Sequence, residues 1–172
     1  MLKTGQILEE LGYDYYLYTS EAKKPEYSQR SFADFLPVFL HSDSERCRSL
    51  AVKRLYRHQE EAFDALRRGS NLVLKSGTGS GKTEAWFLHM AVSGVKVLAV
   101  YPTLALANDQ LSRLMEYCTA LGKKVLVLDA SRKSSMMREM GSRGLRQSVE
   151  ISDVVVTNPA LLLNEVKRMV EG

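Results

Sequence analysis

Residues 76–83 read Ser-Gly-Thr-Gly-Ser-Gly-Lys-Thr, set between the apolar run Asn71–Lys75 and the helix-compatible stretch Glu84–Met90. A strand, a glycine-rich loop and a helix in that order let successive backbone N–H groups converge on an anion at a helix N-terminus. Gly77, Gly79 and Gly81 admit backbone angles closed to other residues. The segment therefore predicts a phosphate-binding P-loop built from Ser76, Gly77, Thr78, Gly79, Ser80, Gly81, Lys82 and Thr83. Lys82 is the cation for the β- and γ-phosphates, and the Thr83 hydroxyl is the metal ligand, for Mg²⁺. Ser76 departs from the generic pattern, which has glycine there.

The rest of the chain agrees with such a frame. From about residue 56 onward, strand-like runs at Asn71–Lys75, Val95–Tyr101, Val125–Asp129 and Asp153–Thr157 alternate with helix-length segments. That alternation predicts an α/β fold with βαβ units and a buried parallel sheet between helices. Gly69, Gly94 and Gly122 stand where helices should stop, and Thr103 and Asn158 where helices should start. Residues 1–55 read differently, as an accessory N-terminal segment packed on the α/β core. Within it, Thr4–Leu11 suits a short helix closed by Gly12, and Tyr13, Tyr15, Tyr16 and Tyr18 suit an extended segment. Ser20–Arg30 reads as a loop, and Ser31–His41 as an apolar helical pattern interrupted at Pro37.

At 172 residues the chain is long enough to bury one core without disulfides. Its two cysteines, Cys47 and Cys118, fall in no metal-binding or disulfide spacing. Neither a secretory signal nor an apolar run of membrane-spanning length is present, which points to a cytoplasmic setting without a membrane partner. A net charge of +4 permits a nucleic-acid partner without requiring one.

Two further constellations bear on chemistry. Leu55–Phe63 precedes the P-loop by about one helix and contains Gln59, whose carboxamide can accept from adenine N6 and donate to N7 together, selecting ATP over GTP. Pro102-Thr103-Leu104-Ala105-Leu106-Ala107-Asn108-Asp109-Gln110 and Val156-Thr157-Asn158-Pro159-Ala160-Leu161 each run from a strand into a capped helix N-terminus. Two such ends on one edge of a parallel sheet can grip successive phosphates of a nucleic-acid strand.

Taken together, Leu-Tyr-Arg-His-Gln, the P-loop, Tyr-Pro-Thr-Leu-Ala-Leu-Ala-Asn-Asp-Gln and Val-Thr-Asn-Pro-Ala-Leu-Leu resemble the Q motif and motifs I, Ia and Ib of superfamily 2 DEAD/DEAH-box type helicases. The resemblance covers residues 55–163 and is nearest the branch with the RecQ-four-like and YprA-like DNA repair helicases. In that superfamily Ser76 is an ordinary first residue of the loop. The resemblance implies a RecA-like ATP-binding domain over residues 56–172, with adenine at Gln59 and phosphates at Gly79, Gly81, Lys82 and Thr83. It also implies single-strand contacts, DNA more than RNA, at Pro102, Thr103, Asn108, Thr157 and Asn158. ATP and Mg²⁺ are the implied cofactors, and a second RecA-like domain is the implied partner.

Such helicases carry an Asp-Glu motif beyond motif Ib, and this sequence contains no Asp-Glu dipeptide. The expectation is a half-motor, a piece of a larger ATP hydrolase that does not turn over alone. Two alternatives stay open. One is a non-catalytic ATP-dependent nucleic-acid-binding module. The other is a complete small P-loop NTPase or kinase in which Asp129, at the end of Val125–Asp129, holds Mg²⁺. The basic stretch Ser131–Arg146 reads as a flexible solvated face or a channel wall, and Met136, Met137 and Met140 as packing residues. His41, His58 and His89 read as satisfied or surface residues.

Overall fold

The computed structural model describes residues 4–14, 24–77 and 79–171. In chain order come α1 (Thr4–Glu10), β1 (Tyr27–Ser31), two 3₁₀ turns (Phe32–Asp34 and Pro37–His41), α2 (Glu45–Ala51), β2 (Arg54–Tyr56) and α3 (Arg57–Arg67). There follow α4 (Lys82–Ser93), β3 (Val97–Val100), α5 (Leu104–Ala120), β4 (Val125–Val127), α6 (Ala130–Ile151), β5 (Val154–Thr157) and α7 (Pro159–Glu171). β3, β5 and β4 form a parallel sheet in that spatial order, with Val97 and Val125 both opposite Val154. β1 and β2 pair antiparallel, with Tyr27 opposite Tyr56. No helix among the described residues is long and apolar enough to cross a membrane.

Three of the four expected strands form, each trimmed at one or both ends. The fourth, Asn71–Lys75, does not: residues 71–77 have no regular structure, and Val73 is 96% exposed. An apolar run becomes a strand only where a neighbour takes up its backbone hydrogen bonds. β3 is paired with β5, and no strand partner falls to residues 71–75.

The N-terminal segment departs further from expectation. Tyr27–Ser31 is a strand rather than part of a loop, and 31–41 forms two 3₁₀ turns rather than a broken helix. The helix α2, capped by the Ser44 hydroxyl on the Cys47 N–H, had no sequence expectation. Of the tyrosine cluster, Tyr15, Tyr16 and Tyr18 lie outside the described residues, and Tyr13 is exposed. Phe32, Leu36, Phe39, Cys47, Leu50 and Leu55 join Phe87, Leu88, Leu114, Val154 and Val156 in one hydrophobic cluster. Its aromatic centre is Phe39, Phe87 and Tyr117, with Phe87 and Tyr117 ring centroids 5.3 Å apart. The division at residue 55/56 thus falls inside β2, and the segment before it contributes seven of the seventeen buried residues of this cluster. Burial pushes the Cys118 thiol up to about 12, and neither cysteine is paired.

The basic stretch after residue 130 lies in the helix α6, which is broken at Gly141 by a left-handed φ of 68°. Arg132, Arg138, Arg143 and Arg146 face solvent, but Met137 and Met140 are exposed rather than packed. Asp129 caps this helix, its Oδ1 accepting from the Arg132 N–H at 2.7 Å.

Asp153 pins the sheet's far side. Its carboxylate accepts from the Lys124 N–H at 2.8 Å and from Lys123 Nζ at 3.3 Å, tying the turn before β4 to the start of β5. The Lys124 N–H, then Lys123, hold its pKa below the ordinary value. A depressed carboxylate stabilises the fold above its unfolded pKa of about 3.9, and that contribution disappears as pH falls through the folded value. Asp153→Asn is expected to lower stability at pH 7 by about 0.5–1 kcal/mol. Urea unfolding should show the difference shrinking below about pH 4, and a pH-independent difference would contradict the charge argument.

Candidate nucleotide and strand site

The P-loop is held from beneath by α3. Gln59, 2% exposed, sits at the third position of that helix, where Oε1 accepts from the Tyr56 N–H at 2.9 Å in a capping-box bond. Its other end, Nε2, donates to the Gly81 carbonyl at 2.9 Å, and His58 Nε2 lies 2.9 Å from the Ser80 carbonyl. The Ser76 and Ser80 hydroxyls close the loop at 2.6 Å. Gly81 caps α4 with φ 73° and ψ 35°, and a Cβ there would meet Gln59 Nε2 at 2.2 Å. Glycine is therefore required twice, by backbone angle and by space.

Lys82 Nζ donates to the Ser76 carbonyl at 3.0 Å and to the Gly77 carbonyl at 2.7 Å. The ammonium thus folds back over the loop it would share with phosphate oxygens. A Cβ at Gly77 or Gly79 would meet nothing within 4 Å, so the loop presents open space for a ligand. Thr78 lies outside the described residues. Two clefts flank the loop and share Tyr56 and Gly79. One, of about 660 Å³, runs past His58, Ser76 and Ser80; the other, of about 560 Å³, runs past Gln59, Gly81 and Glu84. Tyr56 is stacked between Tyr27 at 5.1 Å and His58 at 5.4 Å.

Backbone donors, an ammonium and open space fit a polyphosphate. The Thr83 hydroxyl fits a hard cation that takes its remaining ligands from phosphate and water, because no group of three His, Cys, Asp or Glu side chains among the described residues could hold a metal. The Asp129 carboxylate is engaged as the cap of α6.

The adjacent strand ends come together as expected. Val100 pairs with Thr157, and the Tyr101 N–H donates to the Thr157 carbonyl at 2.9 Å, so the turns into α5 and α7 leave the sheet side by side. Pro102 and Thr103 are exposed immediately before α5, and Asn158 Oδ1 caps α7 by accepting from the Leu161 N–H at 2.9 Å. Thr157 is 4% exposed with a buried hydroxyl that has no hydrogen-bond partner, so its side chain lies beneath this surface rather than on it. Asn108 falls in the first turns of α5, whose side chains from 104 to 109 lie outside the description.

Residues 56–171 match the DEAD/DEAH box helicase family. The chain belongs to this family. As a family member it is 33% identical over 131 residues to the ATP-dependent helicase YprA of Bacillus subtilis, a match that takes in 70% of this chain and 17% of that protein. It is also 33% identical over 79 residues to the Druantia protein DruE of Escherichia coli, covering 36% of this chain and 4% of DruE. The chain therefore spans under a fifth of the length of these relatives. The crystal structure of the helicase MrfA bound to DNA and AMPPNP superposes over 94% of this chain and 22% of MrfA, with a TM-score of 0.63 at 21% identity. A hypothetical ATP-dependent RNA helicase from Sulfolobus tokodaii matches 73% of this chain and 36% of its own, with a TM-score of 0.55 at 25% identity. The DEAD/DEAH box domain is thus RecA-like in fold.

His58, read as a satisfied or surface residue, is satisfied by the loop's Ser80 carbonyl, whereas Gln110, Arg113, Tyr117 and Glu84 beside the loop had no sequence expectation. The signal was the i, i+3, i+7 spacing of 110, 113 and 117 on one helix stripe. Gly81→Ala is expected to cost about 2 kcal/mol or more, through left-handed strain and the Gln59 clash together. A melt unchanged from the parent would contradict the close approach seen here.

Proposed function

We propose that this domain is the ATP-binding N-terminal RecA-like part of a superfamily 2 helicase or translocase that acts on single-stranded DNA. What supports the reading is a P-loop latched by Gln59 and Lys82 close to the paired ends of β3 and β5, where Asn158 caps α7. In this proposal the loop's N–H groups and Lys82 bind the phosphates of ATP. Thr83 supplies one oxygen to Mg²⁺, which when bound neutralises phosphate charge. Pro102, Thr103, Asn108 and Asn158 lie along the strand backbone, with Thr157 supporting them from beneath. A second RecA-like domain, closing on ATP from the far side, completes the motor.

Gln59 is the residue proposed to read adenine. With one lone pair of Oε1 taken by the Tyr56 N–H and one hydrogen of Nε2 by the Gly81 carbonyl, each end keeps one hydrogen-bonding valence. Those are the acceptor and the donor that adenine N6 and N7 need. The strand contacts are to backbone, so they carry no base identity; DNA is favoured because MrfA was crystallised with it. No Asp-Glu dipeptide occurs in the sequence, so the proposal for these 172 residues is limited to ATP binding and the strand grip.

The test is binding by the purified chain with Mg²⁺, comparing ATP with GTP and single-stranded DNA with single-stranded RNA. Lys82→Ala is expected to abolish triphosphate binding with an unchanged melt, and retained affinity would remove the P-loop from the reading. Gln59→Ala is expected to reduce the ATP-over-GTP preference. A nucleotide profile that stays the same would limit Gln59 to its structural bonds.

A further inference from the structure

Thr83 and Glu84 open α4, and one face of α5 holds them both. The Thr83 hydroxyl donates to Gln110 Oε1 at 3.3 Å, and Arg113 Nη2 donates to the same oxygen. Arg113 Nη1 reaches Glu84 Oε1 at 3.1 Å, and the Tyr117 hydroxyl donates to that oxygen at 3.5 Å. Glu84 is 5% exposed, so its pairing with Arg113 is inside the protein, where an ion pair is costly to form and costly to break. Tyr101, just past β3, neighbours Thr83, and burial raises its phenol pKa.

This arrangement fixes more than packing requires. Arg113 can only donate, so rotating the Gln110 amide would set its N–H₂ against the guanidinium; the orientation that satisfies Arg113 also offers Oε1 to the Thr83 hydroxyl. Arg113 is in turn anchored by Glu84, which holds the guanidinium and therefore the amide in one orientation. A threonine hydroxyl has one hydrogen and two lone pairs. With the hydrogen committed to Gln110, the direction of the lone pairs is set by α5. A cation at the oxygen polarises the O–H bond and strengthens that donation, so the two interactions reinforce each other.

We propose that Gln110, locked by Arg113, is a positioning residue for the cation-side oxygen of the P-loop. The direction of the Thr83 hydroxyl is then set by α5 and not by the loop alone. The proposal rests on the nucleotide-site reading above. It also gives the site a physical link to the strand grip, because α5 begins at Leu104, directly after Pro102 and Thr103.

The test measures affinity of the full 172-residue chain for mant-ATP, by its fluorescence, once with Mg²⁺ and once with EDTA, together with a thermal melt. Gln110→Met keeps the side chain's length and removes the acceptor, whereas Gln110→Glu keeps an acceptor. Gln110→Met is expected to lose about three- to tenfold in affinity with Mg²⁺ and nothing in EDTA, the loss corresponding to one hydrogen bond. Gln110→Glu is expected to retain the gain from Mg²⁺. An equal loss in both buffers would assign Gln110 to packing and overturn the proposal, as would a full magnesium gain in Gln110→Met. Should Gln110→Met melt well below the parent, the Thr83→Val background decides: adding Gln110→Met there changes magnesium dependence no further if Gln110 acts through Thr83, and an additional loss overturns it. A parent chain that binds mant-ATP while Gln110→Met behaves identically leaves the nucleotide site standing and removes only this inference. A parent that binds no mant-ATP removes both.

Discussion

Two hydrogen bonds from one carboxamide, Gln59 Oε1 to the Tyr56 N–H and Nε2 to the Gly81 carbonyl, hold the P-loop in place. The first fixes where α3 begins, because Gln59 is its third residue and closes a capping box on Tyr56. The second fixes where α4 begins, because Gly81 is its N-terminal cap in the left-handed region. Tyr56 also ends β2, whose partner β1 carries Tyr27 stacked on it. The β1–β2 pair, α3 and the phosphate loop therefore share one buried amide. A glycine is obligatory at position 81, since a methyl group would occupy the space of that amide.

A second layer of support reaches the loop from the opposite side. The Glu84–Arg113 pair joins α4 to α5, and Tyr117 connects it to the Phe39–Phe87 aromatic centre. One oxygen of Glu84 and the Nε of Arg113 are buried without partners. Each such group costs about 1–3 kcal/mol. A pair retained at that cost serves orientation better than stability, in keeping with its position beside the Thr83 hydroxyl in the first turn of α4.

The glycine spacing, the helix stops at Gly94 and Gly122, the Asn158 cap and the parallel sheet were all legible along the chain, because each rests on chemistry within a few residues. The run Asn71–Lys75 was read as a strand because it is apolar, but pairing depends on a neighbour that composition does not reveal. The strand Tyr27–Ser31 escaped notice for the opposite reason. Its residues are mostly polar, and it forms because β2 pairs with it. Asp129 ends an apolar run as a metal-binding aspartate would, and only the fold shows it bonded to the Arg132 N–H.

Spacing along the chain fixed a glycine-rich loop ahead of α4 and helix starts after β3 and β5, since backbone angles and caps act locally, whereas the pairing of β3 with β5 is tertiary. Tertiary packing alone decided that Gln59 bridges two helix starts and that Thr157 lies beneath the surface. It alone brought Gln110 and Arg113, far along the chain, against Thr83 and Glu84. Those contacts join residues more than twenty positions apart, and which side chains meet at that range depends on how the helices pack around the core.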